Sequence, residues 1–286
     1  MPSRPDRYAV IGNPVAHSRS PAIHAMFAAQ TGQRIEYTRL LAPLDGFIAA
    51  VDAFRADGGR GLNVTLPFKL QAFAYAATHS ARATVAGAVN TLVFDGAQAH
   101  GDNTDGAGLV ADVTGRLGLA LAGARVLLLG AGGAARGVLQ PLLAAGVEAL
   151  VVANRTAATA TQVVAQAGTH VGPDAVRLTG CGLGAIRGRF DLIVNATASG
   201  LSGESPAIDP VLFRDAQLAY DMLYAPTPTA FMRAAAAGGC ARVSDGLGML
   251  VEQAAESFAV WRGVRPATAP VFETLRAQLA REAAGG

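Results

Sequence analysis

The sequence contains a single lysine, Lys69, among 23 basic residues, so the other 22 are arginines. Arginine replaces lysine easily on a solvated surface, but its guanidinium stays charged and cannot release a proton near neutral pH. A lysine kept where almost all others are arginine is therefore a candidate for proton transfer, with chance survival at the surface as the alternative. Lys69 ends the segment NVTLPFK just after a predicted strand, where ligands collect in α/β folds.

Two further segments place polar side chains at similar turns. Asn90 lies in GAVNT at 87–91 and Asp105 lies in DNTDG at 102–106. Taken alone, each of these residues favours an ordinary turn or cap rather than a functional role.

The segment HSRSP at 17–21 precedes a predicted helix and has two interpretations. Ser20 before Pro21 is typical of a helix N-cap followed by proline at the first helical position. Alternatively, Ser18 and Ser20 present hydroxyls at the positive end of a helix, which suits a carboxylate ligand.

The second half of the chain contains a dinucleotide-binding pattern. GAGGAA at 130–135 fits G-x-G-x-x-A, follows the apolar strand RVLLLG and opens a predicted helix. Gly130 permits a tight turn, Gly132 lets the backbone approach the pyrophosphate, and Ala135 keeps strand and helix close. The free N–H groups at the helix start then bind phosphate.

The end of the next predicted strand favours NADP over NAD. NAD-binding proteins usually place a carboxylate there for the ribose 2′-hydroxyl, whereas this strand ends in Asn154, Arg155 and Thr156. The Arg155 guanidinium can bind a 2′-phosphate and stack on adenine; a solvated loop arginine is the alternative. Arg136 is either a helper for this phosphate or a helix-surface residue.

Short strand patterns alternate with helical patterns along the whole chain, which predicts an α/β fold with mostly parallel sheets. Strands are expected at 8–12, 35–40, 62–66, 90–94, 125–130, 149–153, 191–197 and 217–223. Helices are expected at 21–30, 44–55, after Pro67, and at 108–117, 134–145, 250–262 and 271–282. The polar, glycine-rich stretch at 102–108 is the best domain boundary.

Composition excludes several classes of protein. With 286 residues, 51% of them apolar, the chain can bury the cores of two domains. A net charge of +2 gives no electrostatic case for nucleic acid or an anionic membrane. The start has no signal-peptide core and no apolar run reaches the ~20 residues of a membrane span, so a cytoplasmic location is expected. Cys181 and Cys240 match no metal spacing and are expected to be buried thiols.

These segments together resemble the shikimate dehydrogenase family. The resemblance rests on SRSP, NVTLPFK, GAVNT, NTDG, GAGGAAR, NRT, NATASG, YDMLY and DGLGMLVEQAA, in the family's order and spacing over about residues 10 to 265. It implies an N-terminal α/β substrate domain with a mostly parallel sheet, formed by residues 1–104 with 247–286. A Rossmann-type NADP-binding domain would span 105–246.

The resemblance also implies a reaction and a set of site residues. NADP-dependent hydride transfer would interconvert 3-dehydroshikimate and shikimate, with Lys69 and Asp105 as the catalytic pair. The residues implied in substrate binding are Ser18, Ser20, Thr65, Asn90, Asp105, Tyr224 and Gln253. The residues implied in NADP binding are Gly130, Ala131, Gly132, Gly133, Ala134, Asn154, Arg155, Thr156, Met222 and Gly246. No metal is implied, and the protein would be a monomer or homodimer.

One departure from the family pattern leaves alternatives open. NADP-specific members often carry a second arginine in N-R-T-x-x-R, where this sequence has Thr159. A quinate/shikimate dehydrogenase that tolerates NAD is therefore the nearest alternative. A non-catalytic NADP-binding regulator on the same fold is another, although it should have lost Lys69 or Asp105. Hydrolase motifs such as G-x-S-x-G are absent from the sequence.

Overall fold

The computed structural model describes residues 4–285, which form two six-stranded sheets covered by helices. The first half forms, in order, β1 (Asp6–Gly12), α1 (Ser20–Thr31), β2 (Ile35–Leu41), α2 (Phe47–Ala56), β3 (Gly59–Val64), α3 (Lys69–Tyr75), β4 (Thr78–His79), α4 (Ala81–Ala86), β5 (Thr91–Asp95), β6 (Gln98–Asp102) and α5 (Asp105–Ala111). A π-helical turn, Asp112–Arg116, continues α5.

The first sheet is mixed, with strand order β2-β1-β3-β5-β6-β4. β1 pairs in parallel with β2 and β3, whereas β5 runs antiparallel to both β3 and β6. The hairpin between β5 and β6 turns at Gly96, whose φ of 55° favours glycine. The carboxyl ends of β1 and β3 therefore meet at one edge, where the segments that start α1 and α3 begin.

The second half builds a fully parallel sheet. It contains β7 (Arg125–Leu129), α6 (Gly133–Ala144), β8 (Ala149–Asn154), α7 (Ala157–Val171), β9 (Leu178–Gly182), β10 (Leu192–Asn195), β11 (Leu218–Asp221), α8 (Ala230–Ala237), β12 (Val243–Ser244), α9 (Leu247–Arg262) and α10 (Ala269–Gly285). The strand order is β12-β11-β10-β7-β8-β9. β7 is central and its last four residues are buried, as expected for an all-apolar strand with helices on both faces.

The two C-terminal helices return to the first half of the chain. Ile23 and Phe27 of α1 share an apolar core with Val251 and Phe258 of α9 and with Leu275 of α10. Helices α9 and α10 therefore pack against α1. Among the helices within residues 4–285, none is long and apolar enough to cross a membrane.

Two details differ from the sequence expectations. The helix expected to begin at residue 108 begins at Asp105, because Thr104 and Asp105 already adopt the helical turn that follows β6. The thiols of Cys181 and Cys240 are half-buried and free rather than fully buried, since both lie near the outer strands of the second sheet.

His24 of α1 is fully buried in an aromatic cluster. Its ring stacks on Tyr37 with centroids 4.2 Å apart and lies 5.4 Å from the Trp261 ring. Within residues 4–285, neither ring nitrogen has a hydrogen-bond partner. Burial lowers the pKa of His24 from 6.5 to about 3, because an imidazolium in this setting would lose its hydration without an ionic partner.

His24 is therefore expected to make the fold sensitive to acid. Between pH 6.5 and 3 the unfolded chain binds a proton at this residue that the folded chain does not, so the free energy of unfolding falls as the pH falls. From pH 7 to pH 5 the wild type should lose about 2 kcal/mol more than His24→Phe, measured by urea unfolding. Equal losses in the two proteins would contradict this assignment.

Candidate active site

A cleft of about 700 Å³ opens between the two sheets and is lined from both halves of the chain. Sixteen of the residues named from the sequence line it, namely Ser18, Ser20, Thr65, Lys69, Asn90, Asp105, Gly130, Ala131, Gly132, Gly133, Ala134, Asn154, Met222, Tyr224, Gly246 and Gln253. Arg155 and Thr156 lie outside the lining. Segments far apart in sequence are thus brought together at the carboxyl edges of the strands.

Lys69 and Asp105 form an ion pair in this cleft. Lys69 Nζ donates to Asp105 Oδ2 at 2.5 Å, and the two side chains are 19% and 10% exposed. Asn90 Nδ2 donates to the other carboxylate oxygen, Oδ1, at 2.8 Å. Each oxygen of the Asp105 carboxylate therefore accepts a hydrogen bond, and the carboxylate fixes the position of the Lys69 ammonium in the cleft. Because both side chains are largely removed from solvent, their charges interact more strongly than they would in water.

The Asp105 backbone is fixed by Asn103, a residue that the sequence interpretation did not single out. Asn103 is fully buried, accepts from Asp105 N at 3.2 Å through Oδ1, and donates to Ala88 O at 3.0 Å through Nδ2. The DNTDG turn therefore needs an amide here, because one side chain satisfies a backbone donor and a backbone acceptor at once.

A polar wall continues from Asn90 to helix α9. Asn90 Oδ1 accepts from Thr104 N at 2.9 Å, and Asn90 Nδ2 lies 3.4 Å from Gln253 Oε1. Ser257, one turn along α9, is fully buried and its Oγ lies 3.1 Å from Thr104 Oγ1. Of this network only Asn90 and Gln253 line the cleft, so the buried hydroxyls hold two side-chain amides in place there, and those amides suit a ligand with several hydroxyls.

Asn63 belongs to the same wall, although only its neighbours in NVTLPFK were named from the sequence. Its Oδ1 accepts from Tyr37 Oη at 2.7 Å and its Nδ2 donates to Ser257 Oγ at 2.9 Å. Asn63 also lines the cleft. Its place at the carboxyl end of β3, two residues before Thr65, was the signal that could have identified it.

Of the two interpretations of HSRSP, the one that makes Ser20 a helix N-cap is wrong. Helix α1 begins at Ser20 itself, Arg19 occupies the N-cap position, and no side chain caps the helix. Ser20 therefore lies within the first turn, where its N–H faces Ser18 Oγ at 3.3 Å and its own Oγ lies 3.2 Å from Ser18 Oγ. Arg39 of β2 donates twice to Ser18 O, at 3.0 and 2.6 Å, and fixes this segment.

The opposite wall of the cleft comes from the turns that follow β11 and β12. A Cβ at Gly246 would lie 2.3 Å from Met222 O, so only glycine allows these two turns to touch. Tyr224 faces the cleft beside Arg19. Burial raises the pKa of Tyr224, against the opposing effect of Arg19, so its hydroxyl stays a hydrogen-bond donor at neutral pH.

The glycine-rich loop fits a dinucleotide. Gly130 has a φ of 107° at the end of β7, a conformation that favours glycine. A Cβ at Gly132 or Gly133 would meet no atom within 4 Å, and no side chain caps the start of α6. The first N–H groups of α6 therefore face open space in the cleft, as a bound pyrophosphate requires.

Of the residues expected at the adenosine end of the cofactor, Asn154 lines the cleft and Arg155 does not. Asn154 lines the cleft and donates to Thr156 O at 3.1 Å, which closes the turn into α7. Arg155 is exposed, and no hydrogen bond or ion pair to it occurs within the described residues 4–285. Arg136 donates to Gln166 Oε1 at 2.7 Å on the helix surface, which agrees with its surface interpretation.

The fold and this cleft define a class of protein. A parallel sheet with a phosphate-binding loop faces a second α/β unit that carries a lysine–aspartate pair and a hydroxyl-rich wall. That arrangement is typical of an oxidoreductase that uses a nicotinamide dinucleotide and binds a small polar substrate in an adjoining domain.

Comparison with known proteins narrows this class. Three family models match the chain: "Shikimate dehydrogenase substrate binding domain" over residues 10–92, "Shikimate / quinate 5-dehydrogenase" over 113–202 and "Shikimate 5'-dehydrogenase C-terminal domain" over 246–276. The chain belongs to the shikimate dehydrogenase family.

Individual relatives agree over nearly the whole chain. A shikimate dehydrogenase (NADP(+)) from Janthinobacterium sp. (strain Marseille) is 56% identical, covering 98% of this chain and 100% of the relative. The crystal structure of an Ael1 enzyme from Pseudomonas putida is 46% identical with a TM-score of 0.89, covering 94% and 98% of the two chains. Shikimate 5-dehydrogenase from Thermus thermophilus, in complex with NADP(H) and shikimate, is 36% identical with a TM-score of 0.83, covering 95% and 99%.

Proposed function

We propose that this protein is an NADP-dependent enzyme that interconverts 3-dehydroshikimate and shikimate. The observation that carries the proposal is the Lys69–Asp105 pair, held by Asn90 in a cleft that also contains the dinucleotide loop. High identity to NADP-dependent shikimate dehydrogenases over nearly the full length supports the same activity.

When bound, NADPH would supply the hydride for the carbonyl carbon of the substrate ring, and NADP+ would take up the hydride in the reverse direction. As the ketone is reduced, negative charge develops on its oxygen. The Lys69 ammonium stabilises that charge and donates the proton, since it is the cationic donor aimed into the cleft by Asp105. Asp105 orients Lys69 and accepts a hydrogen bond from a substrate hydroxyl.

The remaining site residues divide between substrate and cofactor. Ser18 and Ser20 bind the substrate carboxylate. Thr65, Asn90, Tyr224 and Gln253 bind its hydroxyls, together with Asn63. Gly130, Ala131, Gly132, Gly133 and Ala134 bind the pyrophosphate. Asn154, Arg155 and Thr156 bind the adenosine 2′-phosphate end, and Met222 and Gly246 line the nicotinamide end. The cleft residues in this set support it by their placement.

The domain assignment follows the two sheets. We propose that residues 1–104 with 247–286 form the substrate domain and that 105–246 form the NADP-binding domain. The return of α9 and α10 to α1 supports the first grouping. Helix α5 lies at the boundary and packs against both α6 and α9.

The direct test is a spectrophotometric assay at 340 nm with shikimate and quinate, each with NADP and with NAD. We expect the highest kcat/KM for shikimate with NADP. Comparable efficiency for quinate with NAD would instead favour a quinate/shikimate dehydrogenase. NADP binding without turnover of either substrate would favour a regulator.

The serine pair is tested by Ser18→Ala and Ser20→Ala. Each should raise the KM for shikimate about 5- to 10-fold, the effect of losing one hydrogen bond of about 1 kcal/mol. Because Ser20 caps no helix, its loss should leave the melting temperature unchanged. Ser80→Ala is the matched control, since Ser80 is the side-chain N-cap of α4 and should affect stability alone. Normal shikimate binding by both variants would exclude the carboxylate role.

The cytoplasmic location, the monomer or homodimer state and the absence of nucleic-acid and membrane partners stay predictions. They are based on composition and on the family resemblance. The cleft supports binding of a small-molecule substrate, because polar side chains on its walls converge beside the glycine-rich loop.

A further inference from the structure

Next to Met222, on strand β11, Tyr220 belongs to a largely buried polar cluster that takes no part in the proposed chemistry. Tyr220 Oη donates to Asp112 Oδ2 at 2.7 Å, and Arg116 donates to both Asp112 oxygens at 2.6 and 2.9 Å. Tyr220 is fully buried and Asp112 is 1% exposed. We call Asp112, Arg116 and Tyr220 the Asp112 cluster.

The Asp112 cluster connects two helices that carry site residues. Asp112 directly follows α5, and Tyr220 Oη also accepts from Met249 N at 3.2 Å, in the first turn of α9. Burial raises the pKa of Tyr220 well above its ordinary value, so the hydroxyl remains a donor to Asp112. One hydroxyl therefore joins the end of α5 to the start of α9.

Close packing leaves these two helices little freedom to slide. A Cβ at Gly108 of α5 would lie 2.7 Å from Gln253 N, and a Cβ at Gly248 of α9 would lie 1.9 Å from Asp112 Oδ1. The two helices therefore touch at two points along their length. Their relative register decides how far Asp105, at the start of α5, lies from Gln253 in α9.

A second ion pair extends the arrangement to α10. Arg276 donates to Asp245 Oδ2 at 2.9 Å and also contacts Oδ1, and Asp245 immediately precedes the cleft residue Gly246. The Phe272 ring lies 4.3 Å from the Arg116 guanidinium carbon and 5.5 Å from that of Arg276. Helix α10 thus contacts both the Asp112 cluster and the turn before Gly246.

We propose that Tyr220 and Asp112 are positioning residues, which fix the register of α5 against α9 and so set the spacing of Asp105 and Gln253 around the substrate. Asn90 contacts both residues, because its Nδ2 lies 2.8 Å from Asp105 Oδ1 and 3.4 Å from Gln253 Oε1. A change in the distance between Asp105 and Gln253 would therefore change these two contacts. The inference rests on the proposed function, since it concerns the geometry of that reaction.

The test compares Tyr220→Phe with Tyr75→Phe. Tyr75 is the matched control because its Oη donates to Asp52 Oδ1 at 2.6 Å in a tyrosine–aspartate pair that does not line the cleft. Tyr220→Phe should lower kcat about tenfold and raise the deuterium isotope effect measured with 4-deuterated NADPH, because a displacement well under 1 Å already slows hydride transfer. Hydrogen exchange in residues 105–116 should also rise. Tyr75→Phe should change none of these.

Tyr220→Phe is expected to lower the melting temperature more than Tyr75→Phe, because the Tyr220–Asp112 bond is buried and the Tyr75–Asp52 bond is exposed, so stability alone does not decide the question. If Tyr220→Phe does not fold, the isosteric Asp112→Asn is measured in its place with the same expectations. Values of kcat, isotope effect and hydrogen exchange within twofold of Tyr75→Phe would overturn the inference. A wild-type protein that does not oxidise shikimate would contradict the proposed function instead, while the hydrogen-exchange comparison still tests the register.

Discussion

Replacement of Lys69 by arginine is expected to lower kcat about 10²- to 10⁴-fold, nearly as far as replacement by alanine. Arginine keeps the positive charge, so a residue that only neutralised charge would be largely rescued. The guanidinium is bulkier, however, and cannot give up a proton near neutral pH. It must also fit where Lys69 Nζ lies 2.5 Å from Asp105 Oδ2 and both side chains are largely buried. Both effects act on the transition state, in which charge develops on the ketone oxygen.

The measurement is kcat and KM of wild type, Lys69→Arg and Lys69→Ala from pH 6 to 10. KM for shikimate and for NADP should change less than kcat, since the reacting hydroxyl of shikimate carries no charge in the ground state. Gln71→Ala serves as the control, because Gln71 is exposed on the same helix and does not line the cleft. A Lys69→Arg enzyme within a few-fold of the wild-type kcat would remove Lys69 from the catalytic role.

Polar segments beside predicted strands indicated the α/β class and part of the cleft, because parallel strands bring their carboxyl ends to one edge. Thr65, Met222, Tyr224, Gly246 and Gln253 were named only from the family resemblance. Lys69 could be singled out without any relative, because 22 arginines elsewhere made its chemistry distinctive. The dinucleotide loop was equally clear, since its pattern stands between an all-apolar strand and a helix.

Short or polar elements were missed because their local patterns are weak. β4 has two residues and β12 has two, and β6 reads QAHGD, with little β-branched or aromatic character. β6 and β12 form because β5 and β11 offer backbone partners at those positions, and β6 in turn pairs with β4. Helix α7 was also missed, since its alanine and threonine residues show little periodicity in sequence.

Contacts between distant segments could not be predicted at all. Ser20 looked like an N-cap from its neighbours, yet the helix begins at Ser20 because Arg19 already adopts helical dihedral angles. The Asp112 cluster joins residues 108 positions apart, and its members look like ordinary surface or strand residues in sequence. Such pairings depend on how α5, β11 and α9 meet, which no local pattern encodes.

Removal of the Arg155 side chain is expected to discriminate between the two cofactors. Arg155→Ala should weaken NADP binding about 10- to 150-fold, the equivalent of about 1.5–3 kcal/mol for a charge-assisted hydrogen bond, and leave NAD binding nearly unchanged. The guanidinium is exposed and no partner for it occurs within residues 4–285, so it can reach a 2′-phosphate without first breaking an ion pair. Since Thr159 stands where a second arginine is common, we expect this discrimination to depend on Arg155.

The experiment measures Kd for NADP and NAD by fluorescence titration, and the KM for each, in wild type, Arg155→Ala and Arg136→Ala. Arg136 is the matched control, because its guanidinium is bound to Gln166 on the helix surface rather than placed beside Asn154. We expect Arg136→Ala to leave the ratio of the two dissociation constants at its wild-type value. The ionic-strength dependence of NADP binding should also fall in Arg155→Ala, since the lost contact joins two charges in solvent. An equal loss of affinity for NADP and NAD would show that Arg155 acts on a part that the cofactors share, such as adenine, and would exclude the 2′-phosphate role.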